Sequence, residues 1–260
     1  QGEGTGITPS QPGGGLGIGG EAVTDCVYIG NAMPITSESL RSFPLLQGLS
    51  QSDLEALACA AQECHYRARA VIFQAGEACT HLHLVRSGQV RLYQAGPAKL
   101  HILALLGPGD VLDATPLLDD GPHIVTARAA TPVVLYTIAL AEAQRLLAHS
   151  PALRLAMLHL VAGQLRQYAT HVNDLAFKQV SARLAGVLLA YARPDGVVVP
   201  GGVPSGRHLS KKDLAALVGT AREVVVRALK RLEQQGLIAQ RPEGIVVLDR
   251  AGLERIHQAG

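Results

Sequence analysis

The segment that decides the fold is LSKKDLAALVGTAREVVVRALKRLEQQGLIAQR, residues 209–241. Ser210 is a good N-cap residue and stands directly before KKDLAALV, which predicts a first helix that ends at Gly219. A second helix is predicted through AREVVVRALKRLEQQ, and it ends at Gly236, a residue type that often terminates helices. Two short helices joined by a glycine turn indicate a helix-turn-helix.

The N-terminal half of the second helix carries the side chains that we expect to read DNA bases. Arg222, Glu223 and Arg227 lie in its first two turns, and positions 223 and 227 are one turn apart on one face. Arg can bond guanine with two hydrogen bonds, and Glu can accept one from a cytosine amino group. We expect four more side chains to contact phosphate groups and position the domain: Thr220, Lys211, Lys212 and Lys230.

The surroundings of the two helices support the same interpretation. Thr220 and Glu223 are three residues apart and have the form of a capping box, which predicts that Thr220 caps the second helix. Apolar residues on both sides of Pro-Glu-Gly, around 237–247, predict a small two-stranded wing. Residues 205–260 hold ten Lys/Arg and six Asp/Glu, a net charge of +4, whereas the rest of the chain has a net charge of −2. Such an asymmetry favours a polyanionic partner, namely double-stranded DNA.

Upstream of this segment, the sequence between about residues 66 and 138 has the pattern of a β-domain. Short β-prone runs such as HLHLV and QVRLY alternate with period two, and glycines separate several of them. Many short strands at regular spacing predict an antiparallel barrel or jelly roll, so the fold class is α+β. Residues 37–62 are predicted to be helical, and the glycine-rich residues 1–36 are predicted to be a disordered tail.

A long helix is predicted after the β-domain, and apolar residues recur along it at steps of three and four. This spacing is typical of a coiled-coil seam and predicts self-association, although a core helix within one subunit would give the same stripe. The seam residues are Leu158, Val161, Leu165, Tyr168, Val172 and Leu175.

Composition excludes some classes of protein. The 260-residue chain is 48% hydrophobic, which is ample for a core. It contains no run of about 18 uncharged apolar residues and lacks the pattern of a secretory signal, so we expect a cytoplasmic protein with no membrane partner. The spacing of its four cysteines matches no disulfide scaffold.

The order of β-domain, seam helix and winged helix-turn-helix, together with TAREVVVRALKRLEQQGLI, resembles the Crp/Fnr family of transcription regulators. VRSGQVRLY and LLGPGDV are similar to the family's barrel turns, and NDLAFKQVSARLAGVLL is similar to its hinge. The resemblance implies a homodimeric regulator, not an enzyme, that reads a palindromic TGTGA-like site through Arg222, Glu223 and Arg227. RNA polymerase is implied as a further partner. The implied domains are a tail (1–36), a cyclic-nucleotide-binding-like effector barrel (37–140), a dimerisation helix (141–176) and a DNA-binding domain (177–260).

The chain departs from the family's cyclic AMP-binding members at the effector pocket. The family's Gly-Glu pair falls on Asp113 and Ala114, its Arg-Ser pair falls near His123, and its adenine-contacting pair begins at Tyr168. These four residues are the candidate effector pocket, and no Arg is left there to meet a phosphate. We therefore expect no cyclic AMP binding.

The signal that replaces cyclic AMP is left open by the sequence: it is haem, an iron–sulfur cluster, another small apolar ligand, or no small ligand, with control by abundance or cysteine oxidation. The loop that follows Pro108-Gly109-Asp110 is more similar to that of the family's redox- and nitric-oxide-responsive members. Some of those members bind haem and others bind an iron–sulfur cluster. Candidate ligands are His65, Cys64 and His101, and Cys59 and Cys64 could share one helix face. An alternative is a metal-binding cupin-like small-molecule domain or enzyme, because His81-x-His83 would put two imidazoles on one face of a strand.

Overall fold

The computed structural model describes residues 27–28, 34–96, 100–192, 209–241 and 244–260. The predicted disordered tail lies mostly outside these ranges. In the N-terminal part, the helices are α1 (Ser37–Arg41), α2 (Gln51–Ala60) and α3 (Pro116–Asp119), with a 3-10 turn at Pro44–Leu46. The strands there are β1 (Val27–Tyr28), β2 (Ala61–Tyr66), β3 (Val71–Phe73), β4 (His81–Ser87), β5 (Val90–Ala95), β6 (Leu100–Leu106), β7 (Val111–Leu112), β8 (Thr126–Ala129) and β9 (Val133–Ala139).

These strands form two antiparallel sheets of jelly-roll type, which confirms the predicted fold class. One sheet has the order β1-β2-β9-β4-β7 and the other has the order β3-β8-β5-β6. Leu92, Leu112 and Leu135 are among the fully buried side chains of the two sheets. Burial of these apolar side chains is the main source of stability for the domain.

The predicted helix through residue 62 is wrong at its end. Helix α2 stops at Ala60, and β2 begins at Ala61 and pairs with β9 along its whole length. The strand buries the side chains of Cys64 and Tyr66 in the sheet core, and this tertiary packing outweighs local helix propensity. Cys59 and Cys64 therefore lie on different elements and share no helix face.

The helix predicted from residue 141 is divided into two. Helix α4 (Leu140–His149) packs on the β-domain, and α5 (Pro151–Phe177) leaves it after a bend of 115°. Ser150 caps α5 by accepting from the Leu153 N–H at 3.1 Å, and Pro151 occupies the first helical position, where its missing N–H is no loss. Among the described residues, no helix taken singly has the length and apolarity to cross a membrane, and only the bent pair α4–α5 reaches that threshold jointly.

The C-terminal unit has the predicted winged helix-turn-helix. Its elements are α6 (Val180–Tyr191), α7 (Lys211–Val218), α8 (Arg222–Gln234), β10 (Ile238–Arg241), β11 (Gly244–Val247) and α9 (Arg250–Ala259). Strands β10 and β11 pair antiparallel and form the wing. Ser210 caps α7 in a capping box with Asp213, and Gly219 ends it with a φ of 73°, a conformation that glycine adopts without strain. The predicted cap of the second helix is wrong: the N-cap is Ala221, one residue after Thr220, and no side chain caps α8.

The helix-turn-helix packs directly on the β-domain through α7 and β6. Ile102 and Leu105 of β6 are buried in the same apolar cluster as Leu214 and Leu217 of α7. Beside them, the Arg91 guanidinium donates to the carboxylate of Asp213 at 3.0 Å. The two folded units are thus joined by a mixed apolar and ionic contact.

Candidate nucleic-acid interface and effector region

Helix α8 presents the three predicted base-reading side chains to solvent. Arg222, Glu223 and Arg227 are all exposed, whereas Val225 and Leu229 on the opposite side are completely buried. The helix is amphipathic, so its buried face anchors it and leaves the charged face free. An exposed Arg-Glu pair in the first turn, with a second Arg one turn later, is able to contact base edges in a major groove.

The predicted phosphate-contacting residues surround this face. Lys211 and Lys212 are exposed at the start of α7, Lys230 is exposed on α8, and Thr220 is half-buried in the turn between them. A cleft of about 940 Å³ lies beside the contact of α7 with β5 and β6, and Lys212 and Arg222 are among the residues that line it. The positive charges therefore lie around the turn and along one side of α8.

Helix α5 carries an apolar stripe that its own protomer leaves uncovered. Leu158 is 57% exposed, Leu165 67% and Val172 65%, while Leu175 is 38% exposed. The other two predicted seam residues, Val161 and Tyr168, are half-buried. The stripe extends beyond the predicted seam to Leu155 and Phe177, which are 54% and 79% exposed. Leu155 is three residues before Leu158, and this spacing was the signal that could have identified it.

At the predicted effector pocket, a carboxylate and an imidazole form an internal ion pair. His123 Nδ1 lies 3.0 Å from Asp113 Oδ2, and the two side chains are only 3% and 2% exposed. The backbone N–H of Ile124 donates to the same oxygen at 3.2 Å, and the His123 ring stacks on Phe73 with centroids 3.7 Å apart. Burial opposes the charged imidazolium, but hydrogen bonds to Asp113 and Cys79 outweigh it and raise the pKa of His123 to about 9.

The other two residues of the predicted pocket lie in different parts of the chain. Ala114 is completely buried in the same apolar cluster as Val111. Tyr168 belongs to α5, where burial and the Asp113 charge both raise the pKa of its hydroxyl. The electrostatic interaction between Asp113 and Tyr168 connects the pocket to the long helix.

The candidate haem or metal ligands have other partners. Cys64 is disulfide-bonded, so it has no thiolate to offer, and its prediction as a ligand is wrong for this state. His65 Nε2 is hydrogen-bonded to Glu63 Oε1 at 2.7 Å, and His101 Nε2 lies 2.5 Å from His171 Nε2. Within the described ranges, no three His, Cys, Asp or Glu side chains converge as metal ligands.

The His101–His171 pair lies where β6, α5 and the turn of the helix-turn-helix meet. The ring centroids are 4.8 Å apart, and the ring of His101 approaches Gly219. Burial lowers the pKa of both imidazoles, and the nearby Arg183 lowers both further. Both histidines are thereby held neutral at this junction.

A jelly-roll domain followed by a long helix and an exposed, basic recognition helix defines a DNA-binding transcription regulator. Two family models match the chain: the cyclic nucleotide-binding domain over residues 63–150 and the Crp-like helix-turn-helix domain over residues 182–256. The chain belongs to the Crp/Fnr family of transcription regulators.

Among its relatives are transcription regulators rather than enzymes. The CRP-like cAMP-activated global transcriptional regulator of Mycobacterium tuberculosis is 26% identical over 219 residues, which is 84% of this chain and 98% of that protein. The cyclic AMP receptor protein of Thermus thermophilus is 29% identical over 218 residues, again 84% and 98% of the two chains. The solved structure of FixK2 from Bradyrhizobium japonicum shares the fold with a TM-score of 0.67 at 24% identity, over 75% of this chain and 96% of that one.

Proposed function

We propose that this protein is a homodimer that binds a palindromic TGTGA-like DNA site and that cyclic AMP does not control it. One observation carries the proposal: an uncovered apolar stripe on α5 lies in the same protomer as an exposed base-reading face on α8. A two-fold dimer formed through α5 would present two copies of α8, and a palindromic site has the same symmetry.

The support for the dimer is the exposure of the seam. Leu158, Leu165 and Val172 follow one another at seven-residue steps, and more than half the surface of each is exposed. Residues seven apart occupy one heptad position, and Val161, Tyr168 and Leu175 supply the other, so together they match the a and d positions of a coiled coil. A second copy of the same helix is the occupant that fits this pattern, because it offers the same stripe in return.

The support for sequence reading is the chemistry of α8. Arg222 and Arg227 would each bond a guanine, and Glu223 would accept from a cytosine amino group. TGTGA and its complement supply guanines on one strand and cytosines on the other. Lys211, Lys212, Lys230 and Thr220 would hold the domain to phosphates without selecting a sequence. The protein would act in the cytoplasm, with RNA polymerase as its further partner at the promoter.

The support for independence from cyclic AMP is the buried Asp113–His123 pair. A cyclic nucleotide phosphate needs a cation or free N–H groups to replace its water. Here the Asp113 carboxylate accepts from the protonated His123 and from the Ile124 N–H, so this imidazolium is already paired and is not free to meet a phosphate. The two relatives named above carry cyclic AMP in their names. At its predicted effector pocket, this chain instead has the Asp113–His123 pair, which does not suit a cyclic phosphate.

Of the alternative signals, the residues favour a redox signal over haem. The three candidate axial ligands do not fit haem, since Cys64 is disulfide-bonded and both His65 and His101 use Nε2 for other side chains. The same region keeps a free, partly exposed thiol at Cys79. We therefore propose redox control and expect no Soret band in the absorption spectrum of the purified protein.

Fluorescence anisotropy with a labelled palindromic TGTGA duplex and a scrambled duplex tests the DNA proposal. Arg222→Ala and Arg227→Ala should each weaken binding to the palindrome by roughly 1–3 kcal/mol and reduce discrimination against the scrambled duplex. Arg250→Ala removes the same charge from exposed α9 and should leave the discrimination unchanged. Unchanged site preference in both α8 variants would refute the assigned reading face.

Isothermal titration tests the effector proposal separately. We expect no heat of specific binding when cyclic AMP is titrated into the purified dimer. Tight binding of one cyclic AMP per subunit would show that the Asp113–His123 pair opens for the nucleotide, and it would overturn this part of the proposal.

A further inference from the structure

Cys79 lies beside the buried His123–Asp113 pair, although it belongs to a different segment of the chain. The His123 N–H donates to the Glu77 carbonyl at 2.9 Å, and Ala78 faces Pro122 in an antiparallel β-bridge. Diagonal neighbours of an antiparallel pair lie on the same face, so the Cys79 and His123 side chains are adjacent. The backbone pairing itself thus brings the thiol to the imidazole.

The three side chains have the arrangement of an activated nucleophile. Asp113 takes the Nδ1 side of the His123 ring, so Nε2 is the nitrogen that can face Cys79. In its thiol form, the Cys79 Sγ–H donates to the His81 carbonyl at 3.4 Å. A nucleophile, a base and a group that orients the base are the parts that such sites require. The Phe73 ring, stacked on His123, holds the imidazole plane in place.

The charge of the pair favours a reactive sulfur. His123 keeps its proton at neutral pH because its pKa is raised to about 9. A cation beside a cysteine favours the thiolate, which is the nucleophilic form. Cys79 is also half-exposed, so a small reagent can reach it from solvent.

We propose that Cys79 is a site of oxidation by hydroperoxides and that the His123–Asp113 pair makes it reactive. The thiolate attacks the terminal oxygen of the hydroperoxide, a sulfur–oxygen bond forms and the oxygen–oxygen bond breaks. Sulfur is oxidised by two electrons to a sulfenic acid, and the hydroperoxide is reduced to an alcohol, or to water for hydrogen peroxide. The leaving oxygen takes the proton of the His123 imidazolium.

This inference deepens the redox part of the proposed function, and it rests on that function for its effect on transcription. After the reaction His123, whose pKa is raised to about 9, takes a proton back from water, so the lasting change beside the His123–Asp113 pair is an uncharged sulfenic acid in place of the thiolate. Asp113 interacts electrostatically with Tyr168 of α5, so the changed charge is felt by the helix that we propose as the dimer seam.

The chain contains its own control, because Cys59 is also a free thiol and is more exposed than Cys79. The full-length protein is treated with hydrogen peroxide in the presence of dimedone, and the labelled peptides are quantified by mass spectrometry. We expect Cys79 to be labelled at least about tenfold faster than Cys59. Labelling is measured without DNA, so slow labelling of Cys79 would leave the DNA-binding proposal standing. Equally, a failure of the DNA-binding proposal would leave the reactivity of Cys79 unaffected.

Two further measurements keep the proposal falsifiable. Asp113→Asn removes the orienting charge and should bring the labelling rate of Cys79 down to that of Cys59. In the unmodified protein, iodoacetamide at neutral pH should also alkylate Cys79 faster than Cys59, which needs no variant to fold. Equal peroxide rates at the two cysteines, or equal alkylation rates, would overturn the proposal.

Discussion

Leu165→Ala on helix α5 is the change that most directly tests the proposed dimer. Leu165 is 67% exposed in the protomer, and its seam position predicts that a second copy covers it. Alanine is the best helix former, so the substitution preserves α5 while shortening the side chain. The expected result is a monomer that keeps its fold and a dimer that dissociates more readily.

The size of the effect follows from the exposed fraction of Leu165. Leucine exceeds alanine by three carbon groups, each worth about 0.8 kcal/mol when buried, or about 2.4 kcal/mol in all. If association buries the 67% that is exposed, the loss is about 1.6 kcal/mol per copy and about 3 kcal/mol per dimer. At 1.4 kcal/mol per factor of ten, the dimer dissociation constant should rise by about 200-fold.

Sedimentation velocity over a concentration series measures this constant directly. Arg166→Ala is the matched control, since Arg166 is the exposed neighbour of Leu165 and lies off the seam. Thermal unfolding of both variants at low protein concentration should match that of the unmodified monomer. If Leu165→Ala and Arg166→Ala dimerise equally well, the α5 stripe is not the dimer interface.

Three further predictions concern the stability of the fold. Gly219→Ala should lower the free energy of unfolding by at least about 1 kcal/mol in urea titrations, because residue 219 has a φ of 73°. Gly163→Ala should raise it, because residue 163 lies in the middle of α5 with open space around it and alanine is the better helix former. Ser210→Ala should cost about 1 kcal/mol and Ser210→Gly only a few tenths, since glycine is tolerated as an N-cap; equal losses would argue against the cap. Because the pKa values of His101 and His171 are lowered in the folded protein, the unfolded chain binds more protons than the folded one at acidic pH. The contribution of the two neutral histidines to the free energy of unfolding is therefore present above about pH 6.5 and is lost below it. Urea titrations at pH 7.5 and 5.5 should therefore show a smaller acid-induced loss for His171→Gln than for the unmodified protein, and an equal loss would contradict the neutral pair.

Local chemistry was sufficient to predict the DNA-binding half. Helix α7, its Ser210 cap and its Gly219 terminus depend on interactions within a few residues, and each is visible in the sequence. The capping box predicted at Thr220 failed because α8 begins one residue later than that pattern requires, with its N-cap at Ala221. The break at Ser150 is marked in the sequence only by a serine followed by a proline, which cap and begin α5.

The sequence by itself determined the fold class, the charged face of α8 and the apolar periodicity of α5, since these depend on period, charge and neighbouring residues. Only the tertiary structure decided that the α5 stripe is uncovered, because burial depends on what packs against a helix. Only the tertiary structure brought His123 to Asp113 and to Cys79, and His101 to His171. Those contacts join residues ten to 70 positions apart through strand pairing and domain packing, which no local pattern of residues encodes.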